Sequence, residues 1–121
     1  MRYLLNISFD GSNYHGWQTQ PESITIQETI ENCLSQIIGE RIKLVGAGRT
    51  DAGVHATIFY AHFDLKIKIQ DKSSLVHKLN SFLPNDISVN NLYRVEDDFH
   101  ARFDAKSREY VYQCYSGESL L

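Results

Sequence analysis

Ile42-Lys43-Leu44-Val45-Gly46-Ala47-Gly48-Arg49-Thr50-Asp51-Ala52-Gly53-Val54-His55-Ala56-Thr57-Ile58-Phe59-Tyr60-Ala61-His62-Phe63-Asp64-Leu65 lies near the middle of the chain and decides how its elements are ordered. Residues 41–45 read as a short apolar strand. From residue 58 to 65, Phe59, Ala61, Phe63 and Leu65 alternate with Ile58, Tyr60, His62 and Asp64, the period-2 pattern of a second strand. Between the two strands, Gly46, Gly48 and Gly53 let the backbone take positive φ or pass close to another molecule. Arg49, Thr50 and Asp51 therefore put a fixed cation, a hydroxyl and a carboxylate on a loop held at a strand end, a common place for chemistry.

The same residue types also serve turn geometry alone, because Gly, Thr and Asp are ordinary hairpin residues. The glycines match neither G-x-G-x-x-G nor G-x-x-x-x-G-K-[ST], and no helix pattern follows directly, so a phosphate-cradling loop is disfavoured. Asp51 and His55, four residues apart with no Cys or Glu partner, make a weak metal pair.

Working outward, Thr25 and Glu28 fit a capping box. Ile26, Ile30, Cys33, Leu34, Ile37 and Ile38 fall on one helical face, with Gly39 suited to the C-cap. Tyr3, Leu5, Ile7 and Phe9 alternate with Arg2, Leu4, Asn6 and Ser8 in an N-terminal strand. The loop that follows, residues 10–21, is rich in Gly and aromatics. Tyr14 and Trp17 suit either plugging the core or stacking on an unpaired base.

On the other side, residues 66–72 form a charged connection, read as a lysine-guarded strand edge or as a phosphate contact. Ser73 or Ser74 is the expected cap of a second helix, with Leu75, Val76, Leu79, Phe82 and Leu83 as its apolar positions and Pro84 as its stop. Ile87, Val89, Tyr93 and Val95 mark a further strand. The order β-α-β-β-α-β predicts an α+β, ferredoxin-like sandwich, with an additional C-terminal strand at residues 108–115. Two helices on one face of such a sheet leave its other face free.

The 121 residues suit one domain, and 42% hydrophobic with 22% charged residues is an ordinary globular balance. No apolar run approaches the ~20 residues needed to span a bilayer, and the N-terminus lacks a signal-peptide core. Cys33 and Cys114 show no C-x-x-C pattern, so reduced thiols in the cytoplasm are expected. The net charge of −3 is unusual for a nucleic-acid binder. Any RNA phosphates must meet a local cluster, or protein outside these residues.

Gly46-Ala47-Gly48-Arg49-Thr50-Asp51-Ala52-Gly53-Val54-His55-Ala56 resembles the signature of the tRNA pseudouridine synthase A family, whose Asp is catalytic. Asp10-Gly11-Ser12 leading to Gly16-Trp17-Gln18 is similar to that family's first motif. Phe99-His100-Ala101-Arg102-Phe103 followed by Arg108-Glu109-Tyr110-Val111-Tyr112 is similar to its later elements. The resemblance implies Asp51, Arg49 and Tyr110 as catalytic residues, the tyrosine lying against the target base. It implies Thr50, His55, His100, Arg102 and Arg108 as substrate-binding residues. On alternation alone, Tyr110 and Tyr112 would be ordinary strand aromatics. Arg102, Lys106 and Arg108, against Asp104, make a locally basic patch beside a motif.

The implied reaction turns uridine into pseudouridine in the anticodon arm of tRNA. The N1–C1′ bond breaks, the uracil turns, and C5 bonds to C1′, with no cofactor and no metal expected. Covalent addition of the carboxylate and elimination toward a glycal both fit the residues. An Asp in water titrates near pH ~3.9. Enclosure under a flipped base raises that value and a neighbouring guanidinium lowers it, so Arg49 is read as keeping Asp51 charged.

The resemblance covers residues 1–121 as the N-terminal catalytic domain. The family continues into a second, related domain, with the site in the cleft between the two, and forms homodimers that share the tRNA. Residues 1–121 alone are accordingly expected to fold but not to turn over. Two other classes of function are weighed: a non-catalytic RNA-binding module using Tyr60, Tyr110 and Tyr112, and an assembly domain consistent with the negative charge. The Arg49-Thr50-Asp51 triplet argues against the first, since a carboxylate at a binding surface repels phosphate.

Overall fold

The computed structural model describes residues 1–18, 20–47 and 56–101. The chain runs β1 (Arg2–Phe9), α1 (Ile26–Ile38), β2 (Val45–Gly46), β3 (Ala56–Asp64), α2 (Lys72–Phe82) and β4 (Ile87–Val95), with a 3₁₀ turn at Gly11–Asn13. The strands form one antiparallel sheet of order β2-β3-β1-β4. This matches the ferredoxin-like order predicted from the sequence. The expected fifth strand, residues 108–115, lies outside the described residues.

Helix α1 starts and stops where its local sequence dictates. Thr25 Oγ1 accepts from the Glu28 amide at 3.3 Å, satisfying one of the unpaired N–H groups of the first turn. Gly39 closes the helix at φ 86°, its N–H donating to Ser35 O at 2.9 Å, a backbone shape that glycine adopts without strain. Ile26, Ile30 and Leu34 are fully buried. Two further amides at the start of α1 are met by the preceding loop. Ile26 N donates to Gly16 O at 3.2 Å and Gln27 N to Trp17 O at 2.9 Å. The same loop buries Tyr14 and Trp17, and Tyr14 Oη donates to Asp86 Oδ1 at 2.7 Å. Both aromatics therefore plug the core.

The cap of α2 differs from the sequence expectation. Asp71, not Ser73 or Ser74, accepts the Ser74 amide, at 3.1 Å. Leu75, Leu79 and Leu83 face the core, whereas Phe82 is 69% exposed and does not belong to the apolar face. Leu83 is extended, at ψ 150°, as a residue preceding proline must be.

Strand β2 is shorter than residues 41–45, for a tertiary reason. Ile42 N donates to Ser35 Oγ at 2.9 Å, and Leu44 N donates to Glu31 Oε2 at 2.7 Å. Leu44 O accepts from Gln27 Nε2 at 3.1 Å. Side chains of α1 thus take backbone groups that a neighbouring strand would otherwise pair. Strand β4 departs from simple alternation. Asn6 pairs with Asn91 but Ile7 with Val89, leaving Asn90 as an extra residue, which is a β-bulge. Asn80 of α2 clamps it, donating to Val89 O at 2.9 Å and accepting from Val89 N at 2.8 Å. Beyond the bulge the faces exchange. Ile87, Val89 and Leu92 belong to the helix-side core, while Tyr93 and Val95 belong to a second cluster on the opposite face.

That opposite face is not free along its whole extent. Leu4, Tyr60, Tyr93 and Val95 form a buried cluster there with Phe99 and Ala101, from the chain after β4. Tyr60 is only 3% exposed and so offers no platform for stacking a base. Among the described residues, no helix is long and apolar enough to cross a membrane.

On the helix side, Trp17 stacks on Phe9 with ring centroids 6.5 Å apart and meets Phe59 at a tilt, 4.6 Å away, and Gly46 lies directly on this group. A Cβ at Gly46 would collide with Trp17 Nε1 and sit 2.7 Å from Trp17 Cε2 and 3.0 Å from Phe59 Cε2. Gly46→Ala is therefore predicted to destabilise the fold by about 1–3 kcal/mol, the usual cost of overpacking a dense core. Urea denaturation checks this: an unchanged midpoint would mean that Trp17 yields freely.

Candidate active site

A loop inherits its position from the strand ends that hold it. Gly46, paired with Ala61, is the last residue of β2, and the chain returns at Ala56, opposite Phe9 of β1. Ala47 N donates to Tyr60 O at 2.8 Å, extending the pairing by one bond. Gly46 lies on Trp17, whereas Ala47 packs against the cluster of Leu4, Tyr60, Phe99 and Ala101. The chain thus leaves for residues 48–55 beside the face opposite the helices. Arg49, Thr50, Asp51, His55, Arg102, Arg108 and Tyr110 all lie outside the described residues.

His100 is described. It is half-buried and meets His62 edge-on, with ring centroids 4.9 Å apart and planes at 75°. The segment that carries it is tied down at several points. Phe99 N donates to Glu96 O at 3.0 Å, closing a turn after β4. Arg2 Nη1 donates to Phe99 O at 2.6 Å, while its Nε and Nη2 donate to the two oxygens of Asp64 at 2.8 and 3.0 Å. That fork holds the Asp64 carboxyl below its ordinary range, through the hydrogen bond with Arg2 first and the attraction of its charge besides. Asp64 is well exposed, so the ion pair itself contributes little; the bond to the Phe99 carbonyl is what ties the segment.

The second tie is His62 of β3. It is buried at 3% exposure, and its Nδ1 accepts from Ala101 N at 3.0 Å. A ring accepting at Nδ1 carries its proton at Nε2 and is neutral. Burial pushes the His62 pKa down to about 4, aided by the positive charge of Arg2 and the neighbouring His100 and opposed by Asp64, so the imidazole stays neutral near pH 7. Alternation in the sequence puts His62 on the face of Ile58, Tyr60 and Asp64 and gives no reason to single it out. Its partner, 39 residues further along the chain, is what distinguishes it.

Chemically, the described residues supply a frame: two chain segments rooted in one patch of sheet, with neutral imidazole and apolar surface at their base. A family model for tRNA pseudouridine synthase matches residues 6–104. A tRNA pseudouridine synthase A of Bacteroides fragilis is 48% identical over 111 residues, covering 92% of this chain and 44% of the relative. One from Colwellia psychrerythraea is 48% identical over 116 residues, covering 96% and 44%. One from Acinetobacter baumannii is 49% identical over 116 residues, covering 95% and 43%. The chain spans less than half the length of these curated relatives, and with a family model matched from residue 6 to residue 104 it belongs to the tRNA pseudouridine synthase family.

Proposed function

We propose that the full-length protein carrying this sequence isomerises uridine to pseudouridine in the anticodon arm of tRNA, with residues 1–121 as its N-terminal catalytic domain. The observation that carries this reading is the packing of Ala47 against the same cluster as Phe99 and Ala101. Ala47 precedes the Arg49-Thr50-Asp51 triplet, and Ala101 precedes Arg102. The two motif-bearing segments therefore spring from one patch of sheet, on the face opposite the helices.

In this reading Asp51 is the carboxylate that acts on the nucleoside, kept ionised by Arg49 within a closed pocket. Tyr110 lies against the uracil. Thr50, His55, His100, Arg102 and Arg108 bind the substrate, the last two as part of the basic patch that meets its phosphates. The protein works as a cytoplasmic homodimer that shares the tRNA between its subunits. Electrostatics favour a local contact, since a net charge of −3 over these residues provides no broad basic surface.

Asp51→Asn in the full-length protein is predicted to abolish pseudouridine formation while leaving tRNA affinity near wild type. The amide keeps the carboxylate's shape but neither its charge nor its nucleophilicity. Tritium release from C5-labelled tRNA measures the outcome, and turnover near wild type would remove Asp51 from the chemistry.

Tyr110→Phe keeps an aromatic face, whose stacking contributes ~1–3 kcal/mol per base, and loses the hydroxyl. It is predicted to bind tRNA normally and turn over slowly, and Tyr110→Leu is predicted to lose binding as well. Equal behaviour of the two variants in filter binding and rate would show that neither stacking nor the hydroxyl matters there.

A further inference from the structure

We propose that His62 is a positioning residue of the reaction: by accepting the Ala101 amide at Nδ1, it docks the segment that bears His100 and leads into Arg102 onto the active face of the sheet. This rests on the functional reading above, and it adds a residue outside the three motifs that carry the family resemblance.

A buried histidine is usually a satisfied core residue, so the case depends on what this one satisfies. Its partner is not a neighbour in the sheet. It is the backbone N–H of Ala101, a residue with no solvent exposure, in a segment that follows the last described strand. The other strong tie on that segment, Arg2 to Phe99 O, acts two residues earlier and from the rim of the sheet. Phe99 can stay anchored without His62, but the course of the chain through His100 and Ala101 cannot. The charged and titratable groups around the imidazole are Arg2, Asp64 and His100. His100 touches it edge-on, so the ring also sets the near wall against which that substrate-binding residue rests.

Two substitutions in the full-length protein separate positioning from mere filling of space. His62→Asn keeps an acceptor close to where Nδ1 lies but loses ring volume. His62→Leu keeps apolar volume but leaves the Ala101 amide without an acceptor. Loss of the acceptor costs stability in either case, so the roles part in the kinetics: a purely structural histidine should leave kcat of the folded His62→Leu protein near wild type, and a positioning one should lower it. The expected result for His62→Leu is a loss of about tenfold or more in kcat with KM little changed, because a small misplacement of reacting groups is costly. His62→Asn should stay within roughly threefold of wild type in kcat, the acceptor being retained.

Amide exchange supplies a readout independent of activity. Ala101 N–H should be protected in wild type and His62→Asn and unprotected in His62→Leu. Imidazole nitrogen shifts of the wild-type protein should show a neutral ring with its proton on Nε2, a measurement that decides the matter even if His62→Leu does not fold. A ring protonated at Nδ1, wild-type kcat in His62→Leu, or equal impairment of two folded variants would each overturn the proposal. Should the wild-type protein form no pseudouridine at all, the functional reading fails on its own, and Ala101 exchange still decides whether His62 docks the segment.

Discussion

Strand β1 is buried on both faces, and much of the rest of the structure follows from that constraint. It is an inner strand, with β3 on one side and β4 on the other, so its backbone groups are spent in two ladders. Leu4, Leu5 and Ile7 have no exposure at all, and each such side chain contributes about 1.5–3 kcal/mol when removed from water. Tyr3, Leu5, Ile7 and Phe9 are covered by the helix-side core, as in any two-layer α+β sandwich. Leu4 points the other way, away from α1 and α2, and needs a different cover. The turn after β4 brings Phe99 and Ala101 back over it.

That second cover links stability to function. The long helices α1 and α2 cover the sheet through many repeated contacts, whereas residues 96–101 do so through a few specific ones. The Arg2 guanidinium and the His62 imidazole hold it by backbone atoms, and side chains cannot drift without moving the segment. On the neighbouring side, Gly46 lets the edge strand settle against Trp17 and Phe59, which fixes where the chain departs toward Asp51. Two tight approaches, one on each face of the sheet, thus position Gly46 and Ala101, the described residues nearest the proposed catalytic segments.

The parts of this fold legible in the sequence are those governed by neighbours in the chain. Thr25 and Gly39 mark the ends of α1 because capping is a local matter, and alternation in β3 sorts Phe59, Ala61 and Phe63 correctly from Tyr60 and His62. The Asp51 loop and the His100 segment stand out as motifs. What alternation cannot give is the bulge at Asn90, which is held by Asn80 from another element. Nor can it give the shortness of β2, whose preceding backbone is claimed by Gln27, Glu31 and Ser35 of α1. Asp71 outcompetes Ser73 and Ser74 as a cap by lying one residue before the helix begins. The cover over Leu4 was hidden for a similar reason: residues 96–98 are acidic and exposed, and only tertiary contact shows that Phe99 and Ala101 turn inward.

The central proposal is that tRNA engages the protein on the side of the sheet opposite the helices, at the rim of the covered patch formed by Ala47, Phe99 and Ala101. Radical footprinting of side chains in the full-length protein, with and without unmodified tRNA, tests it directly. His100, at the edge of that patch, should be shielded by tRNA. Phe82, 69% exposed on α2, should react equally in both states. Shielding of Phe82 with His100 unaffected would put the RNA on the helical layer and contradict the account.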